Sequence, residues 1–232
     1  MINNLFFPLV VLPALLMLLN SCVKTSNDYA YFYPEPETVK DIDGNVYHTV
    51  YVKGQTWMVE NLKTTRYNNG DTIPNVSDGK SWRNLKTGAY CNYGNDTNKA
   101  RIYGRLYNWH AVKKGILCPH PWHVPYDYEW QRLTDTLGGT SVAGGILKET
   151  GTAHWLNNQG ATNYYGFTAR PGGFLDTAGM FRDLGLRGSW WSSTEFFADH
   201  AWQRSIGAGD ATIERSEKKE ESGFSVRCIR DY

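Results

Sequence analysis

Three side chains that commonly bind metal ions lie close together in the segment 118-CPHPWHVP-125. Cys118, His120 and His123 supply one thiol and two imidazoles, which are typical ligands of zinc, and the prolines among them stiffen the loop. The same residues suit a loop that only packs and crosslinks. The segment therefore predicts either a metal site or a structural anchor, and the rest of the chain has to decide between them.

A second polar segment, 90-YCNYGNDTN-98, carries oxygen ligands. Asn92, Asn95 and Asp96 offer the amide and carboxylate oxygens that Ca²⁺ prefers. Residues of these types also close loops through Asx-turns without any metal. The sequence indicates no other cofactor. For this segment we expect either a bound Ca²⁺ ion or, as the favoured alternative, a loop that closes without a metal.

Aromatic side chains are unusually common, with 9 tryptophans and 15 tyrosines. Exposed rings would form platforms for sugars, and we single out Trp155 and Trp191 as candidate ligand contacts. Neighbouring residues of a strand point to opposite faces, so at most one of Trp190 and Trp191 faces a given core. The other ring either enters a second packed layer or reaches the surface.

Recognisable catalytic motifs are missing from the sequence. It contains no H-E-x-x-H, G-x-S-x-G, Walker A or paired C-x-x-C pattern. Lys and Arg number 24 against 23 for Asp and Glu, a net charge of +1, so no broad basic field would attract nucleic acid. The sequence predicts a protein that is not an enzyme and that does not bind nucleic acid.

The first 38 residues are predicted to deliver and tether a domain. Residues 1–21 carry no charged side chain, and their apolar run is too short for a comfortable transmembrane span. With 19-LNSC-22 they resemble a bacterial lipoprotein signal, cleaved before Cys22, whose thiol would carry the lipid. Residues 22–38 would then form a Pro-containing tether. We expect a lipid anchor in the cell envelope, at the outer membrane of a Gram-negative bacterium; an ordinary secretory signal is the alternative.

Residues 39–232 are predicted to form one domain. The turn signal 43-DGN-45 and the period-two alternation that follows it predict a hairpin. A helix is predicted over 126–139 and a weaker one over 141–149, with Ser141 as candidate N-cap and two internal glycines. The charge run 214–222 predicts a solvated hairpin tip before a last strand at 223–230.

Eight motifs along this domain resemble the Fibrobacter succinogenes major paralogous domain, a family of bacterial envelope and secreted proteins. They occur in the family's order and cover nearly all of residues 39–231: 43-DGNVYHTV-50, 55-QTWMVENL-62, 103-YGRLYNWHAV-112, 118-CPHPWHVP-125 with Glu129-Trp130, 143-AGGILKETGTAHW-155, 161-ATNYYGFTARPGG-173, 189-SWWSSTE-195 and 223-GFSVRCIRD-231. The family is similar to C-type lectin-like and formylglycine-generating domains. The resemblance implies an α+β, C-type lectin-like mixed domain, with about two helices packed on short irregular antiparallel strands and chain ends that lie close together.

The resemblance also bears on the cysteines. Lectin-like folds commonly tie the region before the first helix to the last strand, which implies a Cys118–Cys228 disulfide and leaves Cys91 unpaired. An oxidising compartment would favour such a bond, and the metal interpretation of 118–125 weakens accordingly. The family usually opens this helix with Ser or Thr, where Tyr126 stands here, so Asp127 is expected to cap it instead.

Three functions remain open from the sequence. The first is a lipid-anchored, non-catalytic binding or adhesion module whose ligand is a glycan or an envelope protein. The alternative is a structural component of the envelope or of a surface assembly, without a soluble ligand. A metal-dependent enzyme that uses Asn92, Asp96 or the histidines is the third and least favoured, because no catalytic constellation is recognisable. The formylglycine-generating enzymes rely on a cysteine pair near the C-terminus, and only Cys228 lies there, so their oxidase activity is not expected.

Overall fold

The computed structural model describes residues 37–231. The predicted signal peptide, the lipidation site Cys22 and the tether up to residue 36 lie outside the described residues, so these stay predictions. Within the described range, no helix has both the length and the apolar character needed to cross a membrane.

Residues 37–231 form a mixed α and β domain with more strand than helix. The strands are β1 (Thr38–Lys40), β2 (Val46–Val52), β3 (Gln55–Met58), β4 (Tyr90–Cys91), β5 (Leu106–Tyr107), β6 (Trp122–His123), β7 (Gly172–Leu175), β8 (Phe181–Leu184), β9 (Arg187–Phe197), β10 (His200–Gly207), β11 (Ile213–Lys219) and β12 (Ile229–Arg230). The α-helices are α1 (Gly79–Trp82), α2 (Thr97–Tyr103), α3 (Trp109–Lys113), α4 (Asp127–Thr136) and α5 (Thr140–Leu147). The described part thus has five helices rather than about two; the two predicted ones are the longest.

Most of the strands belong to two five-stranded sheets. The first has the order β1-β2-β3-β12-β6, and its pairs are antiparallel. The second has the order β11-β10-β9-β7-β8, with β7 and β9 parallel. The predicted turn begins the first sheet, because the Asp41 carboxylate accepts the backbone N–H groups of Asp43 and Asn45 while Gly44 takes φ +82°.

Helix α4 begins one residue after Tyr126. The Glu129 carboxylate accepts the backbone N–H of Tyr126 at 2.8 Å, which is one half of a capping box. The expected cap by Asp127 is wrong, because this carboxylate binds Arg204 and Arg215 across the domain instead. Trp130 and Leu133 are buried as the periodicity predicts.

Helix α5 packs closely on neighbouring backbone. A Cβ on Gly144 would lie 2.4 Å from the carbonyl oxygen of Thr212, and one on Gly145 would lie 2.2 Å from that of Gly160. The two glycines that weaken the helix in sequence terms are therefore needed for this contact. The N-cap is Gly139 rather than Ser141.

A buried ammonium group lies just beyond α5. Lys148 is fully buried, and its Nζ donates to the carbonyl oxygens of Gln159 at 2.6 Å, Asp210 at 2.7 Å and Gly207 at 3.2 Å. Burial lowers the pKa of Lys148, and nearby Asp210 opposes that effect. The side chain thereby connects three loop carbonyls to the end of a helix.

Strand β9 separates two hydrophobic cores. Trp190 packs with Trp130 in one core, and Trp191 packs with Phe224 in the other, their rings 4.5 Å apart. Both indole nitrogens donate a hydrogen bond, Trp190 to Asn61 and Trp191 to the carbonyl of Tyr107. Of the two alternatives left open for this pair, the second packed layer is the one observed.

The segment 118–125 fastens the end of the chain to the domain. Cys118 and Cys228 form a disulfide, as predicted, and Cys91 is free and buried. In β6, His123 pairs with Ile229, and its ring lies 2.8 Å from Glu129 Oε2 and 2.5 Å from Asp231 Oδ1. A three-ligand site of Cys118, His120 and His123 is not formed here, because the Cys118 sulfur is bonded to another sulfur and His123 bridges two carboxylates.

The charge run is mostly a strand. The prediction of a solvated hairpin tip at 214–222 is wrong. Strand β11 pairs with β10 over seven positions from Ile213 to Lys219, and residues 220–222 are buried. Alternating charged side chains are compatible with an edge strand, where they protect the unpaired edge from other chains.

Candidate functional site

A cleft runs over one face of the second sheet. Two cavities of about 270 and 380 Å³ adjoin there and share Phe174, Lys218 and Phe224 as walls. We call this feature the sheet cleft and define it by the residues that line its floor and walls: Phe174, Asp183, Arg187, Ser189, Gln203, Ser205, Glu214, Ser216, Lys218 and Phe224.

The strand register places polar side chains together on this face. Ser205 of β10 lies opposite Ser189 of β9 and Glu214 of β11, and Gln203 lies opposite Ser216. Because side chains alternate along a strand, the intervening residues point the other way: Trp190 and Ile206 enter the core beside α5, and Arg204 binds Asp127 of α4. Trp191 shares the face of Ser189 and Gln203, so this face combines a polar floor with a buried aromatic ring.

Polar side chains form two hydrogen-bonded groups on the cleft floor. Arg187 Nη1 donates to Ser205 Oγ at 2.9 Å and to Glu214 Oε2 at 2.6 Å, and Ser205 Oγ donates to Glu214 at 3.1 Å. Gln203 Nε2 donates to Ser216 Oγ at 2.7 Å. These bonds fix the orientation of the side chains before any ligand arrives.

One acceptor on the floor has no partner among the described residues. Gln203 is only 2% exposed, and its Oε1 accepts no hydrogen bond there. A buried polar atom without a partner costs about 1–3 kcal/mol, and the sites where such atoms persist require an explanation. Gln203 lines the cleft, so a small rotation of its buried amide toward the cavity would let a ligand hydroxyl donate to Oε1 and remove this cost.

An aromatic wall stands beside the polar floor. The rings of Phe174 and Phe224 lie 5.7 Å apart, and Phe224 rests edge-on against Trp191. Sites that combine an apolar wall with a few oriented polar groups suit small ligands that have both kinds of surface.

The predicted ligand contacts Trp155 and Trp191 are not in reach of a ligand. Both side chains are 0% exposed, and Trp155 Nε1 donates to the carbonyl of Ala169. The prediction that these rings form sugar platforms is therefore wrong. Trp191 instead supports the cleft wall from beneath, through Phe224.

The predicted calcium ligands have separate structural partners. Asn92 Oδ1 accepts from Arg105 at 2.5 Å, Asn95 Nδ2 donates to the carbonyl of Ser77, and Asp96 caps α2 by accepting the N–H of Asn98. The plain-loop alternative accounts for all three. Across residues 37–231, no group of three or more His, Cys, Asp and Glu side chains could bind a metal ion.

These features define a class: a mixed α and β domain, closed by one disulfide, with a polar cleft on a sheet face. The family model of the Fibrobacter succinogenes major domain matches residues 50–230, and the chain belongs to this family. The resemblance drawn from the eight motifs is thereby confirmed. No curated protein and no solved structure matches the chain.

Proposed function

We propose that this protein is a lipid-anchored binding module of the cell envelope, without catalytic activity, and that the sheet cleft binds a hydroxyl-rich glycan. The observation that carries the proposal is the unpartnered Oε1 of Gln203 on a floor whose other polar groups are already oriented. A sugar hydroxyl would donate to this oxygen and accept from a neighbouring group.

The charges of the cleft favour a ligand of low net charge. The smaller cavity is lined by two cations, Arg187 and Lys218, and two carboxylates, Asp183 and Glu214. Hydroxyl groups both donate and accept, so they fit a floor that alternates donors with acceptors. The apolar face of a sugar ring would lie against Phe174, which is half-buried.

A C-type lectin-like arrangement of the domain is part of the proposal. Its support is the disulfide between the segment before α4 and the last strand, together with helices packed on short strands. The lipid anchor and the outer-membrane location rest on 19-LNSC-22 and the apolar run before it.

A glycan array probed with the detergent-purified full-length protein tests the binding proposal. Gln203→Met keeps the side-chain length and removes both polar atoms, so affinity for the bound glycan should fall about tenfold, the effect of roughly one lost hydrogen bond. Gln159→Met, an exposed glutamine outside the cleft, is the matched control.

Thermal unfolding of both variants shows whether they fold. Unchanged affinity in Gln203→Met, or no glycan bound above background, would count against the sheet cleft. Stoichiometric crosslinking to envelope proteins without glycan binding would favour the structural alternative.

A further inference from the structure

A second surface pocket collects positive charge. It has a volume of about 480 Å³ and lies between α3 and the two loops that carry Tyr67 and Gly88. We call it the lysine pocket and define it by six lining residues: Tyr67, Lys86, Gly88, His110, Lys113 and Lys114. The lining contains three ammonium groups and no carboxylate.

Two of the lysines already have carboxylate partners outside the pocket lining. Lys86 Nζ lies 2.5 Å from Glu221, and Lys113 Nζ lies 3.2 Å from Glu195. Lys114 makes no ion pair with any described residue, and its Nζ lies 4.5 Å from the ring centre of Tyr67. One cation of the lining is therefore free to pair with an anion.

The pocket also contains two polar atoms without partners among the described residues. Tyr67 is 2% exposed, and its hydroxyl makes no hydrogen bond. His110 Nε2 is likewise buried and unpartnered, while its Nδ1 lies 3.2 Å from Glu220. Burial and the nearby Asp71 raise the pKa of Tyr67 to about 12, so the hydroxyl keeps its proton at neutral pH and can donate.

Gly88 makes this arrangement possible. A Cβ at this position would lie 2.0 Å from Tyr67 Oη and 2.9 Å from the Cα of Ala111. The loop therefore passes close to α3 only because it carries no side chain there, and the Tyr67 hydroxyl occupies the space.

We propose that the lysine pocket is an oxyanion-binding site, separate from the sheet cleft, that takes a carboxylate or phosphate group of a small ligand. Lys114 supplies the charge and the Tyr67 hydroxyl donates a hydrogen bond, while the unpartnered His110 Nε2 lies in the same pocket. The volume leaves room for a sugar-sized group behind the anion.

Calorimetric titration of the full-length protein in detergent tests the site with three probes: inorganic phosphate, glucuronate and glucose. Phosphate or glucuronate should bind, with affinity that falls as salt is raised, while neutral glucose should not bind in this pocket. Which of the two anions binds more tightly identifies the source of the oxyanion.

Two variants separate a binding role from a structural one. Tyr67→Phe should lower anion affinity about tenfold and leave the ligand-free protein equally or more stable, because it removes an unpartnered buried hydroxyl. Lys114→Gln should lower affinity similarly, whereas Lys99→Gln, a lysine over the Tyr93 ring outside the pocket, should not.

Three results would overturn the proposal: no binding of either anion at millimolar concentration, undiminished affinity in Tyr67→Phe, or loss of binding in the cleft variant Gln203→Met. The last result would place the anion in the sheet cleft. Failure of the anion-binding proposal would leave the glycan-binding proposal for the sheet cleft unaffected, and failure of the glycan-binding proposal would leave anion binding in the lysine pocket unaffected.

Discussion

Removal of the disulfide should destabilise the protein by an amount that loop length predicts. Cys118 and Cys228 are 110 residues apart in sequence. In the chain-entropy model, a crosslink over such a loop lowers the entropy of the unfolded chain by about 16 cal/mol/K, or about 5 kcal/mol at 25 °C. The double variant Cys118→Ala with Cys228→Ala should lose this free energy of unfolding, plus the packing of two buried sulfurs.

The free thiol provides the control for packing. Cys91 is as buried as the bonded pair, so Cys91→Ala measures the loss of a buried sulfur without the loss of a crosslink. Guanidinium unfolding of the full-length protein, followed by tryptophan fluorescence, gives both values. The denaturant slope should also rise in the double variant, because its unfolded chain exposes more surface. A double variant that loses less than about 2 kcal/mol beyond twice the Cys91→Ala effect would refute the entropic argument.

Two further predictions concern buried charges. Burial opposes protonation of His123, but the hydrogen bonds and charges of Glu129 and Asp231 outweigh it and raise the pKa. The stabilising charge is therefore fully present below about pH 6.5 and is lost as pH rises through the folded-state pKa. His123→Gln should remove the loss of stability that begins above about pH 6.5, whereas exposed His120→Gln should not. An unchanged profile in His123→Gln would contradict this account. Lys148→Met should cost about 2–4 kcal/mol in guanidinium unfolding, because three backbone carbonyls lose a buried, charged donor; a cost under about 1 kcal/mol would show that these carbonyls find other partners.

Local chemistry explains which elements the sequence predicts well. The turn at 43–45 follows from side-chain bonds within five residues, and α4 follows from the spacing of Trp130 and Leu133. The disulfide is predicted only through resemblance to a family, because no local pattern indicates which of the cysteines meet.

Burial and sheet register depend on distant segments, and the sequence fails there. Trp191 is covered by Phe224, which arrives from the last part of the chain, so its burial has no local signal. The sheet cleft likewise could not be predicted from the sequence. Gln203 and Ser216 are ordinary polar residues of two strands, and only the register of β10 and β11 brings them together. An unpartnered side-chain atom is evident only in three dimensions.

The two ends of the described part of the chain lie close together. Arg230 of β12 lies 3.1 Å from Glu37, one residue before β1, so entry and exit of the chain are joined by an ion pair. The closeness of the ends that the resemblance implied is thus observed. A domain whose ends lie close together can be inserted into a surface loop of another protein, or repeated along one chain, without distortion of the neighbouring domains. This geometry suits a domain that is joined to different neighbouring domains.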